Sequence, residues 1–370
     1  MSFLAVQAQR HRAGRFLVVS MVAAQVLGLS LVFDSACRVH ADPPDSGLVL
    51  EDGNPAKISP VGRRSIDRGM EWLISAIQRR GVGTDLNQPP DLGCTAIVGL
   101  ALLAEGNTLS TGPHADQLES ILDSVLVQLE YRRGGGNGTQ TLVQRKIGHN
   151  ADVFLSALFL SQLLGESGYS DKEVRAALQG LVDTISRSQG EDGTWGDESW
   201  APVLGTVLGW ESLRASSASG MRVEASAERA GKALLKKLET HATNEQDWMH
   251  SFYKEASGVR VLHSLRLRNE PTFLECVQRM VTIARDDDRP FVHAGGEEYL
   301  SFYLVTECLL QQPKDEWKTW YPNVSEKLVR HQNRDGSWSG HHCITARTFC
   351  TAAVLLTLMA PNQYLTVSDL

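Results

Sequence analysis

At 370 residues, 42% hydrophobic and 21% charged, the chain has the composition of a large buried core and not of a disordered segment. A net charge of −7 with no basic cluster argues against nucleic acid, or an anionic membrane surface, as the partner of the folded part. Length alone suggests two or three domains, but an array of repeats can make one.

Arg10, Arg12 and Arg15 precede an apolar run from Phe16 to Phe33, and Val39-His40-Ala41 places small residues for cleavage before Asp42. This is the layout of a secretory signal peptide over residues 1–41, and it predicts a secreted or periplasmic protein. The alternative is an uncleaved N-terminal anchor, the one route by which the chain would meet a membrane. Removing the segment takes away four arginines and one aspartate and leaves −10 on the mature chain. Residues 42–62, rich in Pro, Asp and Gly, read as a linker. Cys94, Cys276, Cys308, Cys343 and Cys350 remain, an odd number without a Cys-x-x-Cys pair, which predicts buried thiols rather than a disulfide framework.

Residues 63–362 follow one pattern six times, with a tail at 363–370. An amphipathic, charged helix is predicted at 65–80, 115–132, 171–189, 222–241, 271–285 and 316–332. Each is followed by a more apolar helix rich in small residues, at 94–103, 151–164, 203–213, 256–265, 299–310 and 344–359. The two sets alternate at a period of roughly 48 residues, which belongs to repeat architectures.

Two amphipathic helices end in the same motif. Gln189-Gly190-Glu191-Asp192-Gly193-Thr194-Trp195 and Gln332-Asn333-Arg334-Asp335-Gly336-Ser337-Trp338 start 143 residues apart, close to three repeats. Gly193 and Gly336 accept the positive φ that ends a helix. Gln189 and Gln332 are expected to satisfy orphan helix-end carbonyls, with Trp195 and Trp338 covering the turn.

These Gln-x-x-x-Gly-x-Trp motifs, each followed by an apolar helix, resemble the repeats of the squalene-hopene cyclase and protein prenyltransferase superfamily. The stretch from Gly340 to Ala352 is also similar to secreted bacterial members of it. The resemblance covers roughly residues 63–360 and implies an all-α (α/α)6 toroid of six helical hairpins with an apolar central cavity. An open superhelix of the same hairpins is the alternative.

Both catalytic signatures of that superfamily are incomplete. The cyclase acid motif, Asp-x-Asp-Asp before Thr-Ala, matches best at Asp91-Leu92-Gly93-Cys94-Thr95-Ala96, where Gly93 and Cys94 replace two acids. Asp286-Asp287-Asp288 reads as a solvated turn at a helix end. The prenyltransferase zinc set of Asp, Cys and His falls on Glu297, Tyr299 and His341, and tyrosine is no substitute for a thiolate. Asp91, Glu297 and Glu298 are therefore the only catalytic candidates.

His341, His342, Cys343, Tyr253, Tyr299 and Phe302 are the candidate ligand-cavity residues, the rings suited to an isoprenoid or to ordinary core packing. No cofactor is assigned; zinc through His341 and Glu297 is the alternative, with adjacent histidines able to serve one ion only if the segment is a loop. The expected function is a divergent member binding an apolar or isoprenoid-type small molecule, or an envelope protein, in its centre. The alternatives are an active cyclase or prenyltransferase-type enzyme with non-standard acids, and a cell-envelope interaction scaffold.

Overall fold

The structure, a computed structural model, describes residues 57–78, 90–134, 140–165, 171–195, 199–240, 248–312 and 314–365. The signal segment and most of the linker lie outside these residues. Backbone proximity divides the chain into Met1–Lys57 with Leu265–Leu267, and Ile58–Ser264 with Arg268–Leu370. Every element below belongs to the second unit.

The described residues are helical and contain no strand. Six amphipathic helices are α1 (Pro60–Gln78), α3 (Ala115–Arg133), α6 (Asp171–Ser188), α8 (Glu224–Thr240), α10 (Pro271–Asp286) and α13 (Lys314–Arg330). Six apolar helices alternate with them: α2 (Leu92–Glu105), α5 (Ala151–Leu163), α7 (Pro202–Ala218), α9 (Trp248–Ser264), α12 (Gly296–Leu310) and α14 (Arg347–Met359). Two short helices, α4 (Leu142–Ile147) and α11 (Arg289–Val292), were not foreseen. Helix α1 starts at Pro60, inside the stretch read as linker, because Ser59 accepts the Gly62 amide at 3.0 Å and so starts the helix early.

Burial explains the two classes. Helix α6 buries only Val174, Ala177, Leu178, Leu181, Val182 and Ile185, a single stripe at helical spacing. Helix α2 buries every residue from Leu92 to Ala104, and α14 every residue from Thr348 to Met359. A helix covered on all sides must sit behind a layer of others. Accordingly α2 packs on α5, α5 on α7, α7 on α9, α9 on α12, α12 on α14, and α14 on α2. The amphipathic helices cover them: α3 lies on α2, α6 on α5, α8 on α7, α10 on α9, α13 on α12, and α1 on α14.

Both Gln-x-x-x-Gly-x-Trp motifs have the same geometry. Gln189 Nε2 donates to Gly193 O at 3.0 Å and to Ser226 O, on α8, at 2.9 Å. Gln332 Nε2 donates to Gly336 O and to Ser65 O, on α1, both at 2.8 Å. The helix-end carbonyl goes instead to the indole: Trp195 Nε1 reaches Ile185 O at 3.0 Å and Trp338 Nε1 reaches Leu328 O at 2.8 Å. This corrects the expected division of labour, because the glutamine amide spans the distance to the next amphipathic helix while the ring lies back over its own. The Trp amides then donate to Thr206 and Thr351 on the following apolar helices. Each motif therefore joins three helices.

Gly193 (φ 86°) and Gly336 (φ 96°) are required twice over. A Cβ on Gly193 would stand 2.6 Å from Arg229 O, and one on Gly336 2.4 Å from Arg68 O. Arg229 and Arg68 both also donate to the motif glutamines, so a Ser-x-x-Arg pair (Ser226/Arg229, Ser65/Arg68) receives each motif. That counterpart was present in the sequence and unrecognised.

Candidate functional site

The candidate site forms where the segment before α14 runs beside the start of α12. His341 N donates to Ala294 O at 2.8 Å, and Gly296 N to Ile344 O at 2.9 Å. These bonds hold residues 341–344 as a loop, the condition under which a His-His-Cys run can turn more than one side chain to one place. Cys343 has φ 50°, a left-handed conformation that costs a non-glycine residue on the order of 1 kcal/mol and recurs at functional sites.

Glu297 and Glu298 open α12 and are fully buried. Glu298 Oε2 accepts the Gly295 amide at 2.6 Å, capping the helix. Glu297 Oε2 accepts the Ile344 amide at 3.3 Å, while its Oε1 lies 3.2 Å from Lys146 Nζ and 3.5 Å from His342 Nδ1. His342 Nε2 lies 3.6 Å from Glu298 Oε2, so the imidazole sits between two carboxylates. These separations attract as charges but are long for hydrogen bonds, and neither His342 nitrogen has a hydrogen-bond partner.

The charges are tuned to one another. Burial pushes the Glu297 carboxyl up, but His342 and the Lys146 ammonium outweigh it and hold the group below the usual glutamate range. Glu297 beside it, with Glu298, raises His342 against the effect of burial. Burial pushes the Cys343 thiol up, and Glu297 adds to this. Burial of Lys146 disfavours its charge, but Glu297 and Cys343 more than restore it.

One oxygen of Glu297, one nitrogen of His342 and the Cys343 sulfur all lie within 4.8 Å of one another. Tetrahedral zinc with bonds of ~2.0–2.3 Å places its ligands roughly 3.3–3.8 Å apart, a gap that side-chain rotation can close. The N, S and O donors and the turned-in cysteine fit such an ion. His341, the histidine expected there, is exposed and lies outside the trio; its neighbours His342 and Cys343 take the place.

The other candidates are dispersed. Asp91 caps α2, its Oδ1 accepting the Cys94 amide at 2.8 Å. Tyr299 is buried. Phe302 packs against Phe252 (5.3 Å), Phe291 (4.5 Å, stacked) and Trp320 (6.3 Å), between an apolar helix and its amphipathic cover. Tyr253 lies on α9, but its side chain is outside the described residues. Asp286, Asp287 and Asp288 pair with Arg285, Arg289 and Lys327 at the end of α10, the turn that was expected. Of the five described cysteines, all are free thiols and four are buried.

Two features escaped the sequence. Lys146 is carried by α4, whose start Thr141-x-x-Gln144 is a capping box: Thr141 N donates to Gln144 Oε1 at 3.0 Å and Gln144 N to Thr141 Oγ1 at 3.3 Å. The second is a buried network on α7, α9 and α12. Arg260 Nη2 donates to Glu211 Oε2 at 2.9 Å and Arg260 Nη1 lies 3.5 Å from Glu307 Oε2, while Tyr303 OH donates to Glu307 Oε1 at 2.6 Å. Its signal was charge set among apolar neighbours, as in Val207-Leu208-Gly209-Trp210-Glu211-Ser212-Leu213 and Val259-Arg260-Val261.

No family model matches the chain, and no curated protein or solved structure matches it.

Proposed function

We propose that the chain is an exported (α/α)6 toroid of the prenyltransferase and squalene-cyclase kind, and that it binds a transition-metal ion, zinc by its donor set, through Glu297, His342 and Cys343. The succession of apolar-helix contacts from α2 to α14 and back to α2 supports closure of the six hairpins. The tie from Gln332 on to Ser65 supports it at the seam. Glu297 opens α12 and the His342-Cys343 loop precedes α14, so at the starts of two apolar helices the trio would lie at one end of such a ring.

The proximity of the three donor atoms carries the metal assignment. Three protein ligands leave a fourth position, which an exogenous donor group on a small molecule would complete. The interior of the ring would then take the rest of that molecule, an isoprenoid-type ligand by the superfamily resemblance. Bound metal would also lower the Cys343 thiol and hold it as thiolate.

Acid catalysis of alkene cyclisation is the poorer fit. That chemistry requires a carboxylic acid standing protonated in a dry pocket. Glu297 is instead held ionised beside Lys146 and His342, and Asp91 is committed to its helix cap.

Metal analysis of the purified protein tests this, with Co2+ substitution to display the thiolate-to-metal absorption band. One ion per chain is expected, lost in the His342→Ala/Cys343→Ser variant. A folded wild-type protein that takes up no zinc or cobalt at stoichiometric concentration would sink the metal assignment. Native mass spectrometry with squalene and prenyl diphosphates then separates binding from turnover.

A further inference from the structure

Lys146 is an anomalous neighbour for a metal site. Its Nζ stands 3.2 Å from Glu297 Oε1, on the oxygen that faces His342, and its side chain is only 6% exposed. An ammonium is a compact, strongly hydrated charge, and burying it is costly unless a fixed partner compensates. Glu297 is such a partner.

The helix that carries Lys146 is fastened elsewhere. Gln144 Nε2 donates to Asp152 Oδ2 at 3.1 Å and to His149 O at 3.0 Å, and Lys146 O accepts the Ala201 amide at 2.8 Å. These bonds tie α4 to the starts of α5 and α7. Through the Lys146 side chain α4 reaches across to the start of α12.

A divalent ion on Glu297 would stand within a few ångström of Nζ, and two cations that close in a dry pocket repel strongly. We propose that Lys146 and the metal ion compete for one place: the ammonium is the countercharge of Glu297 in the metal-free protein, and metal entry expels it and releases α4 from α12. Lys146 thereby sets the metal affinity without being a ligand. The inference rests on the metal assignment made above for the same trio.

Affinity is read by competition of the purified protein against a chromophoric chelator, with zinc as the probe and far-UV circular dichroism as the check on folding. Lys146→Met should bind zinc about 10–100-fold more tightly than wild type. Lys146→Gln, neutral and polar, should do the same, and serves if the methionine variant does not fold. Lys146→Arg keeps the cation and should stay near wild type, which a merely structural role of the side chain would not produce. Hydrogen exchange supplies a second readout: zinc should quicken exchange of the α4 amides in wild type and leave it unchanged in Lys146→Met. Equal zinc affinity in wild type and both neutral variants overturns the competition and leaves the metal assignment standing. Absence of zinc binding in wild type and in both folded neutral variants overturns the two together.

Discussion

Gln332 and Ser65, 267 positions apart in the chain, exchange two hydrogen bonds: the Gln332 amide donates to Ser65 O at 2.8 Å, and Ser65 Oγ donates to Gln332 Oε1 at 2.7 Å. The final amphipathic helix is thereby sewn to the first. Gln332→Ala removes both bonds and leaves a part-buried carbonyl and hydroxyl without them, which should cost ~1–3 kcal/mol in urea unfolding. Exchange of α1 amides should accelerate more than exchange of α6 amides; equal acceleration would show that this bond pair does not hold the seam.

Gly336 and Gly193 face backbone oxygens of the next amphipathic helix with positive φ. Gly336→Ala and Gly193→Ala should each lower stability by about 2 kcal/mol or more, since strain and collision act together. Gly134→Ala is the control: its φ is −72° and an added Cβ meets nothing closer than 3.4 Å, so its effect should stay within ~0.5 kcal/mol. Indistinguishable losses at Gly134 and Gly336 would refute the collision.

Arg260 is wholly buried between Glu211 and Glu307. Arg260→Met leaves two carboxylates without their shared cation and should cost ~3–5 kcal/mol. Adding Glu307→Gln should return at least ~1 kcal/mol, because the carboxylate that lost its cation is then neutral, whereas Glu211 still has Arg214 at 3.1 Å. Strictly additive losses in the double variant would show that Arg260 and Glu307 do not act as one network.

His263 has both ring nitrogens buried without hydrogen-bond partners, and burial, with Arg268, Arg260 and Arg214 outweighing Glu211, pushes its pKa down to about 3. The folded state thus holds His263 neutral while the unfolded chain protonates it below its ordinary 6.5. Its contribution to stability is full above that value, falls as pH drops through it, and goes on falling to about 3. Over that window wild type should lose ~1.4 kcal/mol per pH unit relative to His263→Leu. Unfolding free energies of the two proteins at several pH values give the difference directly; a flat difference between neutral pH and pH 4 would contradict the neutral, buried imidazole.

Local pattern carried much of the architecture. The stripe at Val174, Leu178, Leu181 and Ile185 and the unbroken apolar run at Leu92–Ala104 distinguish covering from covered helices, because one period of 3.6 residues records how many sides a helix hides. Gly193 and Gly336 were likewise legible, since left-handed backbone favours glycine wherever it occurs.

The partners of those residues were decided only in three dimensions. Nothing local says that Gln332 seeks Ser65, that the indole rather than the amide serves the helix end, or that α4 extends Lys146 to Glu297. The metal candidates show the same division. The sequence by itself determined that chemistry-bearing side chains lie at Glu297 and in the His341-His342-Cys343 run. Tertiary structure chose His342 over His341, because a backbone bond to Ala294 turns the loop and Cys343 turns it again. Periodicity reports which face a residue occupies; which distant atom meets it depends on how whole helices dock, and that is set by packing summed over the chain.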